Sequence, residues 1–293
     1  MFKKILSTAL AMAMVLSMAV STSAALGKPG SSTPSTKTEQ SSSGSKKSSS
    51  SSSSSKGYDL CKTQLAKDKL ALNMHNTFLS GLKANKDKIT VSIKGYTEKQ
   101  VYTAFQNSVQ MIFDEHPEIF WLDTMQNLVV SSDHKTLTFY PRPASGYGTA
   151  SKDGLSASKL NTTAIKNATT KMNEAVKKMT GSTDYEQVKA IHDAIINKTQ
   201  YPANPDKATH NQHQAVGPLV EGKAVCDGYA KAFKYACDQK GIPCVIVVGN
   251  ATNNIGEKGT HAWNYVKVGG SWYQVATDWD APQTKGGNSK SYL

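Results

Sequence analysis

Three side chains in the last third of the sequence have the types and spacing of a nucleophilic catalyst. Cys226 lies in the run Gly222-Lys223-Ala224-Val225-Cys226-Asp227-Gly228-Tyr229-Ala230-Lys231-Ala232-Phe233. Tyr229, Ala232, Phe233, Ala236 and Cys237 recur at helical spacing, and Gly241 is a natural stop. Cys226 therefore falls in the first turn of a predicted helix. Free amides and the positive end of the helix dipole there favour a thiolate and could hold an oxyanion. Downstream, His261 to Val268 and Ser271 to Trp279 alternate as strands joined by Gly269-Gly270, a hairpin signal. A two-residue turn pairs Val268 with Ser271 and sets His261 opposite Asp278, with Cβ atoms about 5 Å apart. A carboxylate facing an imidazole can fix its tautomer and stabilise the imidazolium. Cysteine, histidine and carboxylate on successive elements make a nucleophile, a base and its orienter.

The elements that must position these groups read as helices first and a β-rich end. Helical character runs from Leu60 to about Leu82, and Lys88 to Ile93 alternates as a short strand. Thr97-Glu98-Lys99-Gln100 is a capping box before a helix that His116-Pro117 ends. Asn127–Val130 and Thr136–Tyr140 read as a hairpin, and a Gly, Pro and Ser-rich loop over 141–157 marks a boundary. Helices follow over Thr162–Met179 and Asp184–Asn197, and Pro243–Val248 reads as a central strand. His192 lies on an apolar helical face, where a core histidine is the plainer reading than a functional one. His210 and His213 are spaced like a metal pair but lack a third ligand of clear spacing. Cys237 and Cys244 flank a helix-to-strand turn and could bridge in an oxidising compartment. Cys61 reads as a buried or free thiol.

The order Cys, His, Asp and the strings around it resemble bacterial transglutaminase-like, papain-like domains. The strings are Leu219 to Ala230, His261-Ala262-Trp263-Asn264, and Trp272-Tyr273 to Trp279-Asp280, with Asp184-Tyr185-Glu186 and Ile191-His192-Asp193 before them. The resemblance covers about residues 160–282. A weaker one extends to His116-Pro117-Glu118-Ile119-Phe120-Trp121. It implies an α+β fold with a papain-like core, in which a helix bearing the cysteine packs on an antiparallel sheet bearing histidine and aspartate. A mostly helical N-terminal region precedes that core. It further implies Cys226 as nucleophile, His261 as general base, and acyl transfer through a thioester with no cofactor and no metal. The acyl donor is a glutamine side chain or a peptide bond. One position departs from the pattern: the family's triad carboxylate falls at Ala276, and Asp278 stands two residues on. Either Asp278 has taken over, or the domain is a catalytically inactive binding or scaffold module at the cell surface.

The rest of the 293-residue chain bounds these readings. Lys3-Lys4, an apolar stretch from Ile5 to Val20 and small residues to Ala25 have the layout of a cleaved secretory signal, residues 1–25. The stretch is shorter than the ~20 residues of a spanning helix. Residues 26–57 are a Ser/Lys-rich tract too polar to order itself. Then come an N-terminal α+β region, 58–150, and the core, 158–293. A secreted, extracellular or cell-wall-associated protein is expected, with a protein or peptide substrate and no membrane contact after cleavage. The tract's lysines could touch an anionic wall, which leaves adhesion as a third reading. Net charge is +12, but seven of the basic residues and one acid lie in 1–57, leaving +6 over 58–293. Arg142 is the one arginine. Arginine makes the forked contacts to phosphate and bases, so no nucleic-acid partner is expected.

Overall fold

The computed structural model describes residues 5–8, 60–153, 156–252 and 258–282. Most of the expected leader and tether lies outside these residues. Ile5–Thr8 forms strand β1.

The N-terminal region is α1 (Leu60–Gln64), α2 (Lys69–Lys83), strand β2 (Ile89–Ser92) and α3 (Glu98–Glu115), followed by the hairpin β3 (Gln126–Val130) and β4 (Thr136–Tyr140). The helix expected over 60–82 is two helices. Asp68 accepts a hydrogen bond from the Ala71 N–H at 2.9 Å and so starts α2 afresh. The capping box at Thr97 and Gln100 is present at the start of α3. The sheet order is β1-β3-β4-β2, all pairs antiparallel. Phe78, Phe105 and Phe139 knit α2, α3 and β4 together, with ring centroids 4.8–5.8 Å apart.

A short two-stranded ribbon, β5 (Gly148–Thr149) and β6 (Lys159–Leu160), leads to α4 (Thr162–Lys177) and α5 (Asp184–Lys198). The core follows: α6 (Cys226–Gln239), β7 (Cys244–Thr252), β8 (Lys258–Val268), β9 (Ser271–Val275) and the single turn α7 (Thr277–Asp280). The fold is α+β, with a Cys-bearing helix packed on an antiparallel sheet, as expected.

Two expectations about the sheet are corrected. Among the described residues the order is β7-β8-β9, so the apolar strand after Pro243 is an edge strand and β8 is central. Its continuous apolar run reflects cover from α6 and from the end of α3. The Glu115 carboxylate accepts the Ile246 N–H at 3.2 Å and lies 3.4 Å from Lys234 on α6. The second correction concerns the strand expected to reach Trp279, which stops at Val275. The N–H groups of Trp279 and Asp280 both donate to the Ala276 carbonyl, at 3.0 and 3.2 Å, and wind the chain into α7.

One apolar cluster runs from Cys61 through Trp121 to Phe233 and Val266, so the N-terminal helices and the core share their interior. Cys237 and Cys244 are free and buried, with their thiols in hydrogen-bond contact. Among the described residues, no helix is long and apolar enough to cross a membrane.

Candidate active site

Cys226 is the first residue of α6, after Val225 in an extended conformation. The Val225 N–H donates to the Gln212 carbonyl at 3.1 Å, which ties the loop 209–214 to this turn. Gly228 makes that approach possible. A Cβ there would lie 2.1 Å from the Gln212 carbonyl oxygen. The helix start is thus clamped from outside, and the cysteine meets β8 on its inner side. The N–H groups of Ala262 and Asp227 point at its sulfur. Asn264, fully buried, donates to the Ala230 and Val245 carbonyls at 3.1 and 3.3 Å and fixes β8 under α6.

The hairpin register is the one the Gly-Gly turn predicts: Val268 pairs with Ser271 and Asn264 with Val275. His261 has no partner on β9, because that strand has ended. Asp278 reaches it from α7 instead, with its Oδ1 3.5 Å from His261 Nε2. The expected neighbours meet, by a different backbone route. The contact is longer than a hydrogen bond, and Nε2 makes none. Ala276 offers no side-chain oxygen and is the residue before α7.

Two tryptophans flank the imidazole. Trp279 stacks on it with centroids 4.4 Å apart, and Trp263 lies 6.0 Å away at 20°. Burial lowers the His261 pKa to about 4. Burial likewise raises Asp278 to about 8, against the lowering by the N–H groups of Asp278 and Trp279. The thiolate expected at the helix start is corrected too. Burial first, then the negative charges of Asp227 and Asp278, push Cys226 up to about 12, and the amides on its sulfur offset only part of this. At rest, all three groups favour their neutral forms.

Two further groups belong to the site and carry no clear signal in the sequence. Tyr201, between α5 and α6, accepts the Cys226 N–H on its hydroxyl. Its pKa is raised by burial and by Cys226 and Asp278, so it stays a neutral hydroxyl with its own proton to donate. Asp227, buried beside the cysteine, is met by His213 Nδ1 at 2.9 Å and by Lys231 at 3.8 Å.

His210, His213 and His192 serve the frame. His210 Nε2 is 2.7 Å from the Phe120 carbonyl. It and His213 have separate partners and do not form a ligand pair among the described residues. His192 is fully buried between Asp193 at 3.0 Å and Asp280 at 3.1 Å. It joins α5 to α7, the turn that carries Asp278.

Residues 173–277 match the Transglutaminase-like superfamily. Curated relatives are the Kyphoscoliosis peptidases of Mus musculus and Homo sapiens, 33% identical over 106 and 107 residues. The matched segment is 33% of this chain and only 16% of each relative. Among solved structures, the periplasmic domain of TgpA from Pseudomonas aeruginosa, bound to ethylmercury, is 18% identical with a TM-score of 0.30. It covers 40% of this chain and 45% of that one. A structure described as a TGase is 16% identical with a TM-score of 0.34, covering 65% of this chain and 50% of that one.

Proposed function

We propose that the transglutaminase-like domain this chain carries over residues 173–277 performs cysteine-dependent acyl transfer on protein or peptide amides. The observation that carries the reading is the meeting of three elements: Cys226 at the start of α6, His261 on β8, and Asp278 of α7 3.5 Å from the imidazole. The peptidase name of the curated relatives supports an amide substrate.

The Cys226 thiol gives its proton to His261 as sulfur bonds to the amide carbon. The tetrahedral oxyanion is met by the proton of the Tyr201 hydroxyl, which the Cys226 amide holds in place. His261 then passes its proton to the departing amine as the C–N bond breaks, leaving a thioester. Water or a second amine attacks the thioester, the acyl group leaves, and the thiol regains a proton. Imidazolium forms only during the reaction. The indole faces of Trp279 and Trp263 stabilise it there, joined by the Asp278 carboxyl once it has given up its own proton. A neutral resting site suits a nucleophile that acquires charge only when substrate is bound.

A second reading, an inactive binding module, is favoured by Ala276 at the family's carboxylate position and by the raised Cys226 thiol. Incubating the full chain with a glutamine-containing peptide and a labelled amine, beside a peptide hydrolysis assay, separates the two. Label incorporation or peptide cleavage that is lost in Cys226→Ser supports catalysis, and peptide binding without turnover supports the module. Secretion to the cell exterior or wall belongs to the same proposal, resting on the leader-like residues 1–25. Recovery of a protein beginning near Ala25 from the medium tests it.

A further inference from the structure

Away from the cysteine of the core, three side chains converge from three helices. Cys61 lies on α1, His75 on α2, and His116 is the residue that ends α3. One ligand atom from each falls within 4.8 Å of the others. Cys61 Sγ is 3.7 Å from His116 Nε2, and the two imidazole rings are 5.2 Å apart. A tetrahedral Zn²⁺ with bonds of about 2.3 Å to sulfur and about 2.0–2.1 Å to nitrogen holds those two atoms about 3.5 Å apart. That pair needs a closure of a few tenths of an ångström, and His75 lies within 4.8 Å of both.

The surroundings are those of an ordered ligand set. Cys61 and His75 are each 2% exposed, so their positions are fixed by the packed interior. The His116 side chain is 18% exposed and gives an ion a way in. Its Nδ1 lies 3.1 Å from Glu118 Oε1, so an N–H there donates to the carboxylate and leaves the Nε2 lone pair facing Cys61. Lys83 Nζ is 2.9 Å from the same oxygen.

We propose that Cys61, His75 and His116 form a binding site for a thiolate- and imidazole-preferring cation of the Zn²⁺ class, with the fourth position open to solvent. The Cys61 thiol loses its proton to solvent as the metal–sulfur bond forms, and both imidazoles bind as neutral donors. The ion would pin α1 to the middle of α2 and the end of α3. With only five residues, α1 has little helical stability of its own. The three residues are far apart in sequence, so no short motif marks them.

The test is titration of the full chain with Zn²⁺ in competition with a chromophoric chelator. A Cys226→Ser background keeps the core thiol from contributing. One Zn²⁺ per chain is expected, as is a tetrahedral Co²⁺ spectrum with a thiolate charge-transfer band. Outer-shell partners of metal ligands are worth about 10–100-fold in affinity. Glu118→Gln should therefore weaken binding at least ~10-fold, and Cys61→Ser or His116→Gln by more than ~100-fold. His116 sits at a helix end with its side chain partly exposed, so His116→Gln should fold even if Cys61→Ser does not. Absence of stoichiometric Zn²⁺ binding overturns the proposal. So does binding that His116→Gln leaves unchanged in a protein with an unaltered circular dichroism spectrum.

Discussion

Trp279 lies flat on His261, with ring centroids 4.4 Å apart and planes 13° from parallel. The indole comes from α7, the same turn that brings Asp278 to the other nitrogen-bearing edge of the imidazole. One winding of four residues therefore supplies both the face and the edge of the environment in which the ring works.

Trp279→Ala should uncover the imidazole. Burial is what holds His261 at about 4, so its pKa should move up toward 6.5. Proton NMR titration of the ring resonances measures this. An unchanged midpoint would show that the indole is not what desolvates the ring.

Asp278→Asn separates charge from shape. Between pH 6.5 and about 8 the folded carboxyl keeps a proton that the unfolded chain has lost, so wild-type stability falls as pH rises through that window. The slope from this group is at most ~1.4 kcal/mol per pH unit. Below 6.5 His261 acts in the opposite sense, because the unfolded chain binds a proton that the buried ring refuses until about 4. Urea melts across pH should show that the Asn variant has lost the fall above 6.5. Its activity should be at least ~10-fold lower, and the wild-type rise in rate through about pH 8 should disappear with the carboxylate.

Cys226 should alkylate slowly at pH 6 and faster as pH rises, since burial and two carboxylates oppose its thiolate. Mass-mapped iodoacetamide labelling should find Cys237 and Cys244, both fully buried, unlabelled in the native protein. Labelling of Cys226 at pH 6 at the rate of an activated thiolate would contradict the neutral resting site.

Tyr201→Phe should lower kcat by at least ~10-fold while leaving KM nearly constant, because its proton is used only when an oxyanion forms. A faster enzyme would mean that the hydroxyl merely blocks the Cys226 amide.

Gly228→Ala should destabilise the chain by about 1–3 kcal/mol, the range for overpacking, because the added methyl meets a backbone oxygen 2.1 Å away. Thermal melts would check this. Loss of activity should accompany the loss of stability, since the same loop holds the start of α6.

The sequence by itself determined the parts whose signals are local. The helix of Cys226, the capping box at Thr97, and the turn that pairs Val268 with Ser271 all depend on near neighbours in the chain. It also set His261 and Asp278 near each other, but for an incomplete reason. The pattern of alternation cannot see the Ala276 carbonyl capturing two amides, so it carried the strand past Val275 into what is a helical turn. Only the tertiary structure decided the protonation of the site. Helix position argues for a thiolate, but burial of the thiol, together with Asp227 and Asp278, outweighs a partial dipole charge. The structure alone brought Tyr201 to the Cys226 amide, set β7 at the sheet edge, and gathered Cys61, His75 and His116. Such contacts join residues tens of positions apart, and no spacing rule reaches that far.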